Sequence, residues 1–304
     1  MTANPMPTVR KEDDCLFHPM TDADLPLIFE RQQQLAALSS EFDAFRLYVW
    51  LHYDHTQVAY WRNQFVLRFS LRGEACYTAP YETQDMPALL AALMAHERAQ
   101  GGRELRFLCV EKESCRIPGQ FGVTPRRDLY DYVYRADDLI HMPGRDYAAK
   151  RNQIAQFKRK YDWRFAPLTP ANAGDCLSVV DRWYEAHNGT MIADERIAIE
   201  RMVRCPFALG QCGAVLYADG NPVAFAVGSH PRPQLLDVVA EKALPAYIGV
   251  YSMIIQAFAE YAYTLAPFEY VNREEDMGLE NLRNAKLQLK PAMLIEKSLL
   301  TAPL

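Results

Sequence analysis

The sequence predicts a mixed α/β protein of the α+β class, with two halves that each build a mixed, twisted sheet flanked by helices. Three observations lead there. Helix-period and strand-period segments alternate along the 304 residues. The second half orders them helix, helix, three strands, helix, strand, helix, strand. The first half gives a looser version of that order, which reads as an internal duplication.

In chain order, Thr21-Asp22-Ala23-Asp24 supplies capping side chains for a helix over 22–38. The apolar stretch 42–51 reads as helix or extended core. Strands are expected at 56–61 and 65–71, joined by Arg62-Asn63-Gln64, and a third at 76–81. Met86, Leu89, Leu90, Leu93 and Met94 share one face of a helix over 84–100, which Gly101-Gly102 ends. Strands follow at 105–110 and 130–135. A helix over 144–161 buries Tyr147, Ile154, Phe157 and Tyr161. A strand spans 163–168, and Pro170 suits the first turn of a helix reaching about 187. After a helix over 193–204 come strands at 212–218, 223–230 and 235–241, the first two joined by Asp219-Gly220-Asn221. Helix 249–264, strand 268–271, helix 277–287 and strand 292–296 complete the chain. The boundary between halves is expected within 125–145, in Pro125-Arg126-Arg127 or in the polar stretch from Asp137-Asp138 to Gly144, and is set at 135/136.

Composition narrows the function classes. Half of the residues are hydrophobic and 23% charged, which excludes general disorder. The net charge of −5 gives no global attraction to polyanions, so any such site is local. Residues 1–14 carry no apolar run, so no secretory leader is expected there. The greasiest stretch, 247–271, is interrupted by Gln256, Glu260, Pro267 and Glu269 and is not expected to span a bilayer. A cytoplasmic protein is expected. Seven cysteines without a CxxC pair fit reduced thiols. His52 and His55 lack a third ligand, and no metal is expected.

Two segments draw attention to function. Near the C-terminal end, the apolar strand of Tyr270 and Val271 runs into Asn272-Arg273-Glu274-Glu275-Asp276, then Met277-Gly278 and a helix. Strand ends that hand over to helices are where α/β folds place chemistry. Upstream, the strand ending in Glu241-Lys242-Ala243 passes through a loop to Ile248-Gly249-Val250-Tyr251. A glycine opening a helix offers free backbone N–H groups to a phosphate or other anion. A tight turn into a packing helix is the competing reading.

The tail order resembles the GNAT (acyl-CoA N-acyltransferase) fold, in which the loop after the fourth strand binds the pyrophosphate of coenzyme A. Specific motifs sharpen this: Glu241-Lys242-Ala243, Gly249-Val250-Tyr251, Tyr270 to Gly278, Leu282-Arg283-Asn284-Ala285-Lys286 and Lys290-Pro291. With the helix Lys150 to Lys158 and, more loosely, Trp50 after Phe42 and Phe45, they resemble the DUF2156 family. That family is similar to the C-terminal catalytic region of phosphatidylglycerol lysyltransferases. The resemblance implies two tandem GNAT-like domains, 1–135 and 136–304. The first lacks a glycine in Tyr81-Glu82-Thr83-Gln84-Asp85 and is expected to be degenerate, the second to hold the cleft. Relatives of known activity move an aminoacyl group from charged tRNA to a lipid head group.

On that reading the donor is a substrate, acyl-CoA or aminoacyl-tRNA, with no tightly bound cofactor, and the acceptor is a small or lipid-like amine or hydroxyl; the alternative is a non-catalytic protein whose cleft holds an anionic ligand such as a nucleotide, a peptide carboxylate or a tRNA end. Ile248, Gly249, Val250 and Tyr251 are the expected donor-binding residues. Glu241, at the end of the central strand, is the candidate general base, or else an ion-pair partner of Lys242, Arg273 or Lys286. Asn272 and Asp276 are further catalytic candidates, Asp276 alternatively capping the next helix. Arg273 and Arg283 can clamp a carboxylate or phosphate, or pair with Glu274, Glu275 and Glu280. Glu274, Lys286 and His230 complete the candidate substrate-binding set, His230 being either a proton relay or structural. The basic run Lys150 to Arg164 is either a face for tRNA phosphates or a CoA phosphate, or a solvated helix face.

Overall fold

The computed structural model describes residues 16–35, 37–62, 64–78, 85–110, 117, 120–186, 193–206 and 208–304. The first stretch of chain gives β1 (His18–Pro19), α1 (Leu25–Gln32), α2 (Ala44–Asp54), β2 (Gln57–Trp61), β3 (Gln64–Leu71), β4 (Glu74–Thr78), α3 (Met86–Ala99), β5 (Glu104–Val110), β6 (Gly122–Pro125) and β7 (Asp131–Arg135). Then follow α4 (Ala136–His141), α5 (Ala148–Lys160), β8 (Trp163–Pro167), α6 (Ala173–Ala186), α7 (Ala193–Val203), β9 (Gln211–Ala218), β10 (Asn221–Arg232) and β11 (Leu235–Ala243). The chain closes with α8 (Val250–Leu265), β12 (Tyr270–Asn272), α9 (Glu280–Leu287), β13 (Met293–Ile295) and β14 (Lys297–Pro303). Among the described residues, no helix is long and apolar enough to cross a membrane.

Among the described residues, two mixed seven-stranded sheets result. The first runs β1-β2-β3-β4-β5-β14-β6, with β4 and β5 parallel. The second runs β13-β7-β12-β11-β10-β9-β8, with β11 and β12 parallel. The two share one plan. Four strands are antiparallel, one parallel step follows, and two antiparallel strands close the sheet.

One compact unit takes Met1–Met20, Asp54–Pro125 and Lys297–Leu304, the other Thr21–Tyr53 and Arg126–Glu296. These units follow the sheets, whereas the expected division at 135/136 follows the chain. Strand β7, the last before that point, pairs with β12 and β13. Strand β14 pairs with β5 and β6. A strand is captured by whichever sheet edge leaves N–H and C=O groups unpaired, however far away in sequence that edge is.

In the first unit α3 begins as its sequence requires. The Asp85 carboxylate accepts the Ala88 N–H, and proline occupies the first turn. Leu89 and Leu93 bury against Val66, Tyr77 and Phe107. In the second unit α8 carries Met253, Ile254 and Phe258 onto Leu236, Val238 and Ala226 of the sheet. Burial of each large side chain contributes roughly 1.5–3 kcal/mol. The β9–β10 hairpin turns at Asp219 (φ 51°) and Gly220 (φ 79°), the left-handed pair that a two-residue turn needs.

Several elements differ from expectation. The helix expected over 22–38 stops at Gln32, and a single 3₁₀ turn, Ser40–Phe42, precedes α2. The ambiguous stretch 42–51 is helical. The helix expected over 144–161 is preceded by α4, separated from α5 by Met142 (φ 45°) and Gly144 (φ 71°) in the left-handed region. Strands β1, β6 and β14 had no periodic signal of their own. The Tyr81–Gln84 loop and the end of the strand expected at 76–81 lie outside the described residues.

Candidate active site

The second sheet opens between β11 and β12. Their pairing covers Leu235↔Tyr270, Leu236↔Val271 and Asp237↔Asn272. Then β12 ends, while β11 continues to Ala243 alongside β10 alone. At the diverging ends Arg273 Nη2 donates to Glu241 Oε1 at 3.0 Å. The side chains are only 13% and 10% exposed. A small cavity of about 10 Å³ lies against this pair. Its walls are Leu236, Val238, Ile255, Phe258 and Val271.

Burial raises the proton affinity of the Glu241 carboxyl above the ordinary range, with Arg273 and Lys286 opposing. Burial and the neighbouring Arg273 lower the proton affinity of Lys150. Lys286 is buried and pulled down to about 8, by burial first and then by Arg273. Its ammonium donates to the Arg273 and Glu274 carbonyls. It thereby holds a backbone that takes φ 54° at both Glu274 and Met277.

The polar burst after β12 separates into ties and free chemistry. Asn272 is fully buried. Its amide donates to the Leu38 carbonyl (2.8 Å) and to Asp131 Oδ2 (3.0 Å), and its oxygen accepts the Glu274 N–H (2.7 Å). Asp276 is equally buried. It accepts from Arg127 Nη1 (3.1 Å), Tyr132 OH (2.7 Å), the Gly278 N–H (2.8 Å) and both Arg283 Nε (2.8 Å) and Nη2 (3.1 Å). These donors hold its carboxyl well below the ordinary range. Asn272 and Asp276 thus have their lone pairs and donors spent on the scaffold. Asp276 does not cap α9, whose N-cap is Leu279. Arg283 spends its fork on Asp276. Glu274 meets Arg46 at 3.2 Å and is pushed up to about 8 by burial.

The glycine loop serves packing. A Cβ on Gly249 would lie 2.1 Å from the Gln153 carbonyl oxygen of α5, and its φ is 78°. The Ile248 N–H donates to Tyr161 OH at 3.1 Å, and Ser252 Oγ donates to Gln153 Oε1 at 2.6 Å. Val250 is core, while Ile248 and Tyr251 are exposed. Trp183 Nε1 donates to Tyr251 OH at 3.0 Å, and Lys242 lies over the Trp183 ring. Gly249→Ala is expected to cost at least about 2 kcal/mol, from left-handed strain and the clash together. Urea denaturation checks this, and an unchanged midpoint would show that α5 and α8 give way.

His230 lies apart from the other candidates. The β10–β11 register puts Ala226 opposite Glu241 and Arg232 opposite Leu235, so His230 sits at the far end of β11. There it packs on Phe268 and faces Cys212 Sγ at 3.9 Å, with its pKa lowered by burial. Of the expected residues, the fold gathers Glu241, Arg273, Glu274 and Lys286 at the opening, with Ile248 to Tyr251 at the adjoining helix start.

Sequence reasoning missed Asp237, Asp131, Asp43, Tyr132 and Tyr134. For Asp237 a signal existed: it is the one charge in Leu235-Leu236-Asp237-Val238-Val239. The others gave none, because their roles depend on partners more than ninety residues away.

The basic helix is amphipathic. Ile154 and Phe157 are buried, and Lys158, Arg159 and Lys160 are exposed. Lys158 lies over Trp163, Lys160 over Tyr161 and Arg164 over Tyr217.

Comparison with known proteins places this geometry. The sequence pattern of the family described as "Phosphatidylglycerol lysyltransferase, C-terminal" matches residues 33–301. A conserved protein of unknown function from Bacteroides thetaiotaomicron VPI-5482 is 28% identical, with a TM-score of 0.86 over 94% of this chain and 98% of that one. The structure of L-PGS from Bacillus licheniformis is 14% identical, with a TM-score of 0.67 over 92% of this chain and 91% of that one. A tandem GNAT protein from the clavulanic acid biosynthesis pathway is 12% identical, with a TM-score of 0.52 over 95% and 98%. The last two likenesses are likenesses of fold. No curated protein matches the sequence. With the family pattern running from before α2 into β14, this chain belongs to the phosphatidylglycerol lysyltransferase C-terminal family.

Proposed function

We propose that this protein is an aminoacyltransferase that moves an aminoacyl group from charged tRNA to a hydroxyl or amine acceptor at the opening between β11 and β12. The observation that carries this is Glu241. It is a buried carboxylate of raised proton affinity, held by Arg273 beside a cavity at the point where the sheet divides. The acceptor's O–H or N–H gives its proton to Glu241 as its heteroatom attacks the ester carbonyl carbon. Arg273 and Lys150 face the negative charge that develops on the carbonyl oxygen. Collapse breaks the bond to the ribose oxygen, which leaves with the proton from Glu241. The two sheets of one plan read as two tandem GNAT-like domains, the second carrying this chemistry.

Charged tRNA is preferred to an acyl-CoA thioester as donor for two reasons. The Gly249 turn, where a CoA pyrophosphate would sit, is pressed against Gln153, and the Ile248 N–H is already bonded. The exposed side of α5 offers cations interleaved with aromatic rings, which suits a polynucleotide. The test supplies purified protein with tRNA carrying labelled amino acids, or with labelled acetyl-CoA. Phosphatidylglycerol vesicles and soluble amines serve as acceptors. Label is expected to move from tRNA; transfer from acetyl-CoA alone would overturn the choice of donor.

Neutralising Lys158, Arg159 and Lys160 together is expected to reduce the slope of log affinity against log salt for tRNA by roughly 2–3. Filter binding across a salt series reads this, and an unchanged slope would remove α5 from the tRNA surface.

A further inference from the structure

The cavity beside Glu241 and Arg273 lies between β11, β12, α4 and α8. Seven of the nine described residues that line it are apolar, and Glu241 and Arg273 are the other two. Leu139, Leu236, Phe258 and Val271 belong to the buried core, so the wall is dry. An irregularity in the sheet sets Glu241 among them. Leu236 and Glu241 are an odd number of residues apart, which in a regular strand puts side chains on opposite faces. The β10–β11 register breaks between Val227 and Ser229, whose partners are Ala240 and Asp237: three steps along β11 against two along β10. The extra residue is a β-bulge, and it turns Glu241 to the face of Leu236 and Val238.

At about 10 Å³ the cavity holds one group the size of a water or a methyl. A buried water needs roughly two to four polar partners, and the polar wall here is a pair already bonded to itself. An ammonium would forfeit its hydration against such walls. A methyl group loses nothing there and gains apolar contact. We propose that this cavity is the subsite for the side chain of the transferred aminoacyl group, and that it selects a side chain of one carbon, as in an alanyl group. The proposal rests on the reading of the opening as an aminoacyl-transfer site and deepens it. On that reading Glu241 faces the attacking acceptor and Arg273 the carbonyl oxygen. The acyl carbon then lies against this pair, with the substituents of its α-carbon next to the cavity. A glycyl group leaves the space empty. A valyl group overfills it, and a lysyl group brings a long stem and an ammonium against core residues.

The test gives the full chain tRNA charged with glycine, alanine, valine or lysine, in pairwise competition. Alanyl transfer is expected to exceed each of the others by about tenfold or more, the discrimination that one methylene supplies in an apolar pocket. Ala259→Val fills the space from α8 and is expected to lower the alanyl-to-glycyl ratio by about tenfold. Ile255→Val removes one methylene from the wall and is expected to move the preference toward a 2-aminobutyryl group. Equal transfer of all four groups, or a preference for valyl or lysyl, overturns the proposal. So does a ratio that neither folded variant moves. If neither variant folds, the wild-type series decides alone. Indifference to the aminoacyl side chain, with a preference among methylamine, ethylamine and propylamine as acceptors, would give the cavity to the acceptor and also overturn it. If no charged tRNA transfers, the aminoacyltransferase reading fails, and calorimetry with the methyl esters of glycine, alanine and lysine decides on the subsite. Tightest binding of the alanine ester would leave it standing, and equal or absent binding would remove it. Transfer that ignores the side chain removes the subsite and leaves the aminoacyltransferase reading intact.

Discussion

Glu241→Gln is expected to slow aminoacyl transfer by about 10²–10⁴-fold while leaving the fold and tRNA binding intact. Glutamine keeps an oxygen to accept from Arg273 at the position of Glu241 Oε1, so the opening retains its geometry. What it loses is the ability to take a proton. Because burial raises the Glu241 pKa, the wild-type rate should climb with pH through a value above the ordinary carboxylate range. Glutamine should abolish that limb. Single-turnover transfer from labelled tRNA, measured across pH, reads both effects. A variant within threefold of wild type would exclude Glu241 as the base and leave it as the counter-ion of Arg273.

Asp276→Ala is expected to act on stability instead. It removes the common acceptor of Arg127, Tyr132, Arg283 and the Gly278 N–H. Breaking a buried charged hub of this kind costs about 3 kcal/mol, at the lower end of the range because both arginines reach solvent. Urea denaturation measures it. The pH dependence has a definite sign. Asp276 is held below its unfolded value of about 3.9. Its contribution is therefore complete above that value and fades as pH falls through the folded one. The alanine variant should lose part of the acid-side decline. Glu274, pushed up to about 8, has the opposite sign: its contribution falls as pH rises from its unfolded value of about 4.3 toward 8. An Asp276→Ala variant as stable as wild type at pH 7 would mean that Lys286, Asn272 and Arg46 hold the loop after β12 without Asp276.

Particular residues show how far the chain could be read in advance. Helix α3 announces itself through Asp85, its proline and the Leu89–Leu93 face, and the β9–β10 hairpin through Asp219-Gly220. These features are local, and a few neighbouring residues settle them. The polar burst after Val271 was equally visible as a place. Its roles were not, because a sequence cannot say that Asp276 meets Arg127, 149 residues away, or that Asn272 ties down Leu38, 234 residues away. Gly249 teaches the same lesson: its left-handed φ suits a turn at a helix start, but the approach of Gln153 that forbids a side chain comes from another helix.

The sequence by itself determined the α+β class, the order of most elements, the family and the location of the opening near Glu241. The class and the elements rest on periodicity and capping, which short-range sterics and solvation dictate; the family and the opening rest on the resemblance of motifs to a known family. Only the tertiary structure decided which sheet receives β7 and β14. It alone decided which charges after β12 are spent on one another, and that Asp237 is buried without a partner. Strand capture and charge pairing are contests among groups distant in the chain, and their outcome depends on burial, which exists only once the chain has folded.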